Sequence, residues 1–141
     1  MVGLMTGKVV KTGVAVPEGI MSEFEELIKT LGYRSRSRAF QDAIQLFIAS
    51  NKWVRLSGRI AGCVVITYDH EEHDVEERLT DIQHEFLDVI SATMHIHLSR
   101  KYCMLIIALR GDVEVIKKLY NELSSVRGIT NIQSAFTLIP T

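Results

Sequence analysis

Polar and apolar positions alternate with period two along residues 8–16: Val10, Thr12, Val14 and Val16 fall on one face, and Lys11, Gly13 and Ala15 on the other. A short strand is expected there. The period then changes. Behind Pro17, whose missing N–H costs little at a helix start, Ile20, Met21, Phe24, Leu27, Ile28 and Leu31 recur at helical spacing until Gly32 ends the run as a cap. A second helix is expected from Ser35, burying Ala39, Phe40, Ala43, Ile44, Phe47 and Ile48 before the pattern fades near Asn51. No second strand follows within this module. The backbone of the first therefore needs a partner from elsewhere, and a second copy of the chain would supply it.

From Trp53 to Ala61 the periodicity is lost, and the stretch reads as a linker. The remainder is expected to run strand (62–68), helix (70–91), strand (92–98), strand (102–109), helix (112–126), strand (129–138), which is the βαββαβ ferredoxin-like plan. Asp69 with Glu72 resembles a capping box, Asp112 caps the second helix, and Gly128 ends it. The fold class is α+β, with a strand-helix-helix module over 1–52 (1–7 a flexible tail), a linker over 53–61, and a ferredoxin-like domain over 62–141. Two helices cover only one face of a sheet, so the other face needs a further cover.

An apolar fraction of 47% in 141 residues is ample for small cores. No apolar run approaches the roughly eighteen residues that span a bilayer, and the first seven residues lack a signal-peptide pattern, so a cytoplasmic protein without a membrane partner is expected. Two cysteines forty positions apart are read as free thiols or ligands rather than a disulfide; Cys63 reads as a small buried strand residue. The net charge of -1 hides an asymmetry: residues 1–60 carry nine Lys/Arg against five Asp/Glu, and residues 61–141 seven against twelve. The basic half is the candidate anion binder. Arg34, Arg36 and Arg38 crowd the start of the second helix, where the macrodipole disfavours cations and a phosphate would resolve the conflict. The plainer reading is three solvated arginines.

The chemistry concentrates between Ile82 and Cys103, which hold His84, His95, His97 and Cys103. Imidazole and thiolate suit borderline and soft transition metals. His95 and His97 are two apart in a β-prone segment and share a face, with Met94, Ile96 and Leu98 on the other. The turn decides whether Cys103 joins them. An odd-numbered loop centred on Arg100 puts His97 opposite Cys103, whereas a two-residue loop at Arg100 and Lys101 puts Cys103 opposite Leu98. These donors are expected on the sheet face that the helices leave open. His84, on the preceding helix, is then out of reach within one chain and is expected from a second copy. His70, His73 and Asp74 form a possible auxiliary metal cluster, for which a solvated acid-rich helix start is the plainer reading.

Gly32-Tyr33 followed by Arg36-Ser37, Tyr68-Asp69-His70, Gln83-His84, His95-Ile96-His97, Cys103 and Arg110-Gly111-Asp112 together resemble the nickel-responsive transcriptional repressors, from about Lys8 onward. The resemblance implies an N-terminal ribbon-helix-helix domain and a C-terminal ferredoxin-like (ACT-type) regulatory domain. It implies a square-planar Ni2+ site, one per chain, made by His95, His97 and Cys103 with His84 of a neighbouring subunit. It also implies a homotetramer, a dimer of dimers, that binds a double-stranded DNA operator and represses nickel-uptake or metal-homeostasis genes. Residues matching the family's DNA-facing positions are Lys11, Gly13 and Ala15 on the strand, with Arg34, Arg36 and Arg38 near phosphates. Three departures stand out: Gly13 and Ala15 offer no side-chain hydrogen bond to a base, Arg38 replaces an expected Glu, and Leu105 stands where Glu is common.

A second reading is a metal-binding oligomer, a zinc, copper or cobalt sensor or buffer whose DNA domain has lost specificity, with Gly13 and Ala15 in its favour. A hydrolytic zinc enzyme ranks third, because no open coordination position with a nearby general base is evident, and no enzymatic activity is expected.

Overall fold

The computed structural model describes residues 7–140, so all but the last residue of the expected N-terminal tail lies outside the described residues. The chain divides into two compact units, the first ending at Ala43 and the second beginning at Ile44.

In the first unit, helix α1 spans Glu18–Thr30 behind Pro17 and helix α2 begins at Arg36, running to Asn51. Gly32 adopts φ 73°, and the Tyr33 and Gly32 amides donate to the Ile28 and Lys29 carbonyls. That is a Schellman stop, and it needs the left-handed residue that Gly supplies. Ser35 Oγ accepts from the Arg38 amide as the α2 cap. Phe24 and Phe40 pack with ring centroids 4.9 Å apart beside buried Ala39.

Two expectations are not met within one chain. Residues 8–16 form no hydrogen-bonded strand, and Val9, Val10 and Val14 are exposed, because a ladder needs a neighbour and the described residues of one chain provide none. The apolar stripe of α1 and the face of α2 expected to be buried are also largely open: Ile20, Leu27 and Leu31 on α1 and Ile44, Phe47 and Ile48 on α2 are all more than half exposed. Two helices alone supply no second layer for those faces.

The second unit is a four-stranded antiparallel sheet in the order β2-β3-β1-β4, built from β1 (Arg59–Asp69), β2 (Ile90–His97), β3 (Tyr102–Asp112) and β4 (Ile129–Leu138). Helices α3 (Val75–Glu85) and α4 (Val113–Ser124) complete the expected βαββαβ order. Val64, Ile66, Leu105, Ile107 and Leu109 from the sheet meet Val75, Leu79 and Ile82 of α3 and Val113, Ile116, Leu119 and Leu123 of α4 in one core. Asp112 caps α4 by accepting from the Glu114 amide at 2.8 Å. Arg110, Gly111 and Asp112, quoted above as a family-like motif, form the end of β3.

The stretch 53–61 is not a linker. Lys52–Arg55 form a 3-10 turn, β1 already starts at Arg59, and Trp53 is 2% exposed. Its ring stands 4.5 Å from Phe136 and 5.5 Å from Tyr120, while Nε1–H donates to Ser134 Oγ. A large aromatic buried by residues some eighty positions away has no local periodicity to reveal it.

Helix α3 is half the expected length. Residues 70–74 are turns held by Asp69, whose carboxylate accepts from the Glu71 amide and whose carbonyl accepts from that of Glu72. Asp74 then sits at φ 61°, which no helical residue adopts, so the helix starts only at Val75. At the other end Phe86 leaves helical geometry and the chain turns into β2.

Candidate metal centre

The β2–β3 hairpin is the local device that assembles the centre. His97 pairs directly with Cys103, and the five residues between them centre on Arg100, the odd-numbered arrangement. Ser99 Oγ accepts from the amides of Lys101 and Tyr102, and the Leu98 and Ser99 amides both donate to the Tyr102 carbonyl. The turn is also tied to the end of β1. The His70 amide donates to the Lys101 carbonyl, the His70 ring Nε2–H donates to the Arg100 carbonyl, and Lys101 Nζ lies 3.3 Å from Asp69 Oδ2. That carboxylate raises the Lys101 ammonium pKa above its ordinary value.

With this register His95 lies opposite Leu105, and Cys103 opposite both His97 and Tyr68. Leu105, Cys103 and Tyr68 belong to the helix-covered core, so the donors share the helix side of the sheet. This corrects the expectation that they occupy the open face, and with it the reason for placing His84 out of reach within one chain; Met94, Ile96, Met104 and Ile106 alternate on the open face instead. β2 is an edge strand, and the histidines remain exposed at the rim while Cys103 is fully buried.

The donor atoms of His95, His97 and Cys103 all lie within 4.8 Å of one another. Two donors held trans across a divalent ion at about 2.0–2.3 Å are separated by at most about 4.5 Å, so a small closure suffices for all three to reach one ion. His97 Nδ1 is 3.4 Å from Cys103 Sγ, and the two imidazole centroids are 4.8 Å apart. The set of two imidazoles and one thiolate fits a borderline transition metal and leaves room for a further donor. His84 is exposed on α3 and is not part of the convergent set.

Two residues beside the centre carry no signal in the sequence for their role. Tyr68, quoted above only as part of a motif, and Glu76 of α3 flank His95: the Tyr68 hydroxyl donates to Glu76 Oε1 at 3.2 Å and lies 3.1 Å from His95 Nε2. Burial pushes the Tyr68 phenol well above its ordinary range, and its neighbours Glu76 and Cys103 push it further. Their proximity depends on β1–β3 register and on α3 placement, neither of which is local.

The auxiliary cluster is not assembled. His70 is occupied by the Arg100 carbonyl, His73 Nδ1 pairs with Asp74 Oδ2 at 2.6 Å, and among the described residues only His95, His97 and Cys103 converge as a group of three. At the start of α2, Arg36 pairs with Glu25 at 3.2 Å and lies over the Phe40 ring, and Arg38 pairs with Asp42 at 3.1 Å. Cys63 is a free, half-buried thiol on β1.

Fold and site thus define a ferredoxin-like domain with a convergent imidazole and thiol donor set on its edge hairpin. Residues 61–137 match the family described as the NikR C terminal nickel binding domain. Over 92% of its length the chain is 42% identical to a protein of Dictyoglomus thermophilum, of which 96% is covered, and over 87% it is 38% identical to one of Methanococcus maripaludis, of which 88% is covered. Both are named "Putative nickel-responsive regulator". The chain belongs to the nickel-responsive regulator family. An uncharacterized protein from Thermotoga maritima shares the fold at a TM-score of 0.52 and 13% identity, covering 57% of this chain and all of that one. No helix among the described residues is long and apolar enough to cross a membrane.

Proposed function

We propose that the protein is a nickel-responsive, DNA-binding transcriptional regulator acting as a repressor of nickel-uptake or metal-homeostasis genes. The observation that carries this reading is the convergence of His95, His97 and Cys103 inside the segment that matches the nickel-binding family. These three residues hold one Ni2+ per chain, and His84 from another copy of the chain is the fourth donor. An ion so held ties the β2–β3 hairpin of one chain to α3 of the next. The exposed apolar faces of α1 and α2 and the unpaired residues 8–16 support a second copy at the N-terminal module too. There two chains form a ribbon-helix-helix dimer over residues 1–52, joined to a regulatory domain over 62–141, and two such dimers make a tetramer.

In this dimer the strand pair presents Lys11, Gly13 and Ala15 to the major groove, while Arg34, Arg36 and Arg38 meet phosphates. The ion pair of Arg36 with Glu25 is exposed and that of Arg38 with Asp42 partly so, and each is worth at most about 1 kcal/mol, so a phosphate can displace the carboxylate. Because Gly13 and Ala15 supply shape without hydrogen bonds, the phosphate contribution dominates and operators are discriminated weakly.

The test is fluorescence anisotropy on palindromic and random duplexes across a salt series, with and without nickel. Nickel-dependent binding that falls steeply with salt is expected. Lys11→Ala lowers preference among sequences, whereas Arg36→Ala weakens binding to every duplex and reduces the salt slope by about 1. Binding that ignores nickel at every salt concentration leaves a metal-binding oligomer without a repressor role, the reading that Gly13 and Ala15 favour.

A further inference from the structure

Tyr68 is almost fully buried at the end of β1, and its hydroxyl meets Glu76 Oε1 at 3.2 Å and His95 Nε2 at 3.1 Å, with the Cys103 side chain also beside it. A phenol has a single proton to give. When that proton goes to the carboxylate, the contact with the imidazole is a hydrogen bond only if His95 Nε2 carries hydrogen and the phenol oxygen accepts it. This tautomer leaves the ring's lone pair on Nδ1.

None of the other walls of the cleft around His95 forms a hydrogen bond with the ring, the Thr80 hydroxyl included. Leu79 and Leu105 are apolar. Gln83 is engaged at both ends of its amide, with Nε2 donating to the Leu79 carbonyl at 3.0 Å and Oε1 accepting from Thr93 Oγ1 at 3.1 Å. Glu76 lies in the first turn of α3, where the helix dipole favours a carboxylate.

We infer that Glu76 and Tyr68 are positioning residues of the metal centre, forming a carboxylate–phenol–imidazole relay that holds His95 as its Nε2–H tautomer and presents Nδ1 to the ion. The inference rests on His95 being a ligand, as proposed above. A ligating imidazole whose second nitrogen donates toward a carboxylate is held in orientation and is a more basic donor, and losing such an outer partner typically costs about ten- to a hundredfold in metal affinity. Here the carboxylate acts through the phenol, since Leu105 on the facing strand has no polar group to offer.

The relay makes a prediction that a packing role does not. Once the carboxylate acceptor is removed, the Tyr68 proton is released to turn toward His95 Nε2, and the favoured tautomer becomes Nδ1–H, with the ligating nitrogen blocked.

The experiment uses the full chain, metal-free and labelled with 15N-histidine, at about pH 8 where imidazoles are neutral. Long-range 1H–15N correlations report each tautomer, and comparison with His95→Ala assigns the His95 signals. The wild type is expected as Nε2–H, Glu76→Ala shifted to Nδ1–H, and Glu76→Gln, whose side-chain carbonyl still accepts from the phenol, restored to Nε2–H. Nickel affinity, measured by chelator competition, is expected to fall about ten- to a hundredfold in Glu76→Ala and Tyr68→Phe, with Glu76→Gln in between. Glu76 is solvent-exposed, so its variants keep the test available if Tyr68→Phe does not fold. An unchanged Nε2–H tautomer and unchanged affinity in Glu76→Ala overturn the relay, and wild-type affinity in His95→Ala overturns instead the assignment of His95 as a ligand.

Discussion

His97 and Cys103 are direct cross-strand partners, with imidazole Nδ1 3.4 Å from the thiol sulfur, and this pairing brings the donor set together. The sulfur comes from the buried central strand β3 and the imidazoles from the exposed edge strand β2, so a soft, shielded donor faces hard-to-bury ones at the rim of the core.

Cys103→Ser keeps the side-chain volume close to that of the original and removes the thiolate. The thiolate-to-nickel charge-transfer absorption is expected to vanish, and nickel affinity to fall by more than the roughly 10–100-fold that loss of an outer partner costs. Absorption titration with and without competing chelator measures both. Binding in the wild type should also weaken as pH is lowered from about 8 to about 5, since imidazole and thiol release protons on ligation.

The proposed sharing of each site between chains is tested by complementation. His84→Ala and Cys103→Ala chains, each deficient alone, are mixed by co-expression. A site that takes His84 from one chain and Cys103 from another is intact whenever the two kinds meet in the right order, so a fraction of tight nickel sites should return in the mixed oligomer. Absence of any recovery, in mixtures shown to be hetero-oligomeric, would falsify the sharing.

Tyr68 sets a direction for alkaline stability. Its folded-state pKa is raised from 10.0, so above about pH 10 the unfolded chain loses this proton while the folded chain keeps it. Unfolding then releases a proton, and stability falls as pH rises through that window. Denaturant unfolding at a series of pH values from about 9 to about 11 should show this fall in the wild type, and a shallower one in Tyr68→Phe.

Gly62 lies where β1 passes β4 with no room for a side chain: a Cβ would overlap the Ala135 carbonyl oxygen and come within 2.8 Å of the Phe136 Cα. Both obstacles include backbone, so β4 has to shift. Gly62→Ala is expected to destabilise the domain by about 1–3 kcal/mol, read as a lowered denaturant midpoint with an unchanged slope.

Much of the domain is legible from period alone. The βαββαβ order, the bounds of β4, the Gly32 stop and the Asp112 cap are all set by residues within a few positions of one another, and the spacing of His95, His97 and Cys103 reduces their pairing to a question of loop parity. Spacing fixes which residues share a face because strand and helix periods are properties of the local backbone.

Which face that is depends on the whole sheet. The inward positions of β1 and β3 bury under α3 and α4, and the hairpin register then carries His95 and His97 to the helix side rather than the open one. For the same reason Trp53 enters the core through Phe136 and Tyr120, and Tyr68 meets Glu76 and His95, across separations that no periodicity spans. The late start of α3 turns on one left-handed residue, Asp74. Residues 8–16 mark the opposite limit: their alternation is plain in the sequence, yet strand pairing requires hydrogen-bond partners that the described residues of a single chain do not supply.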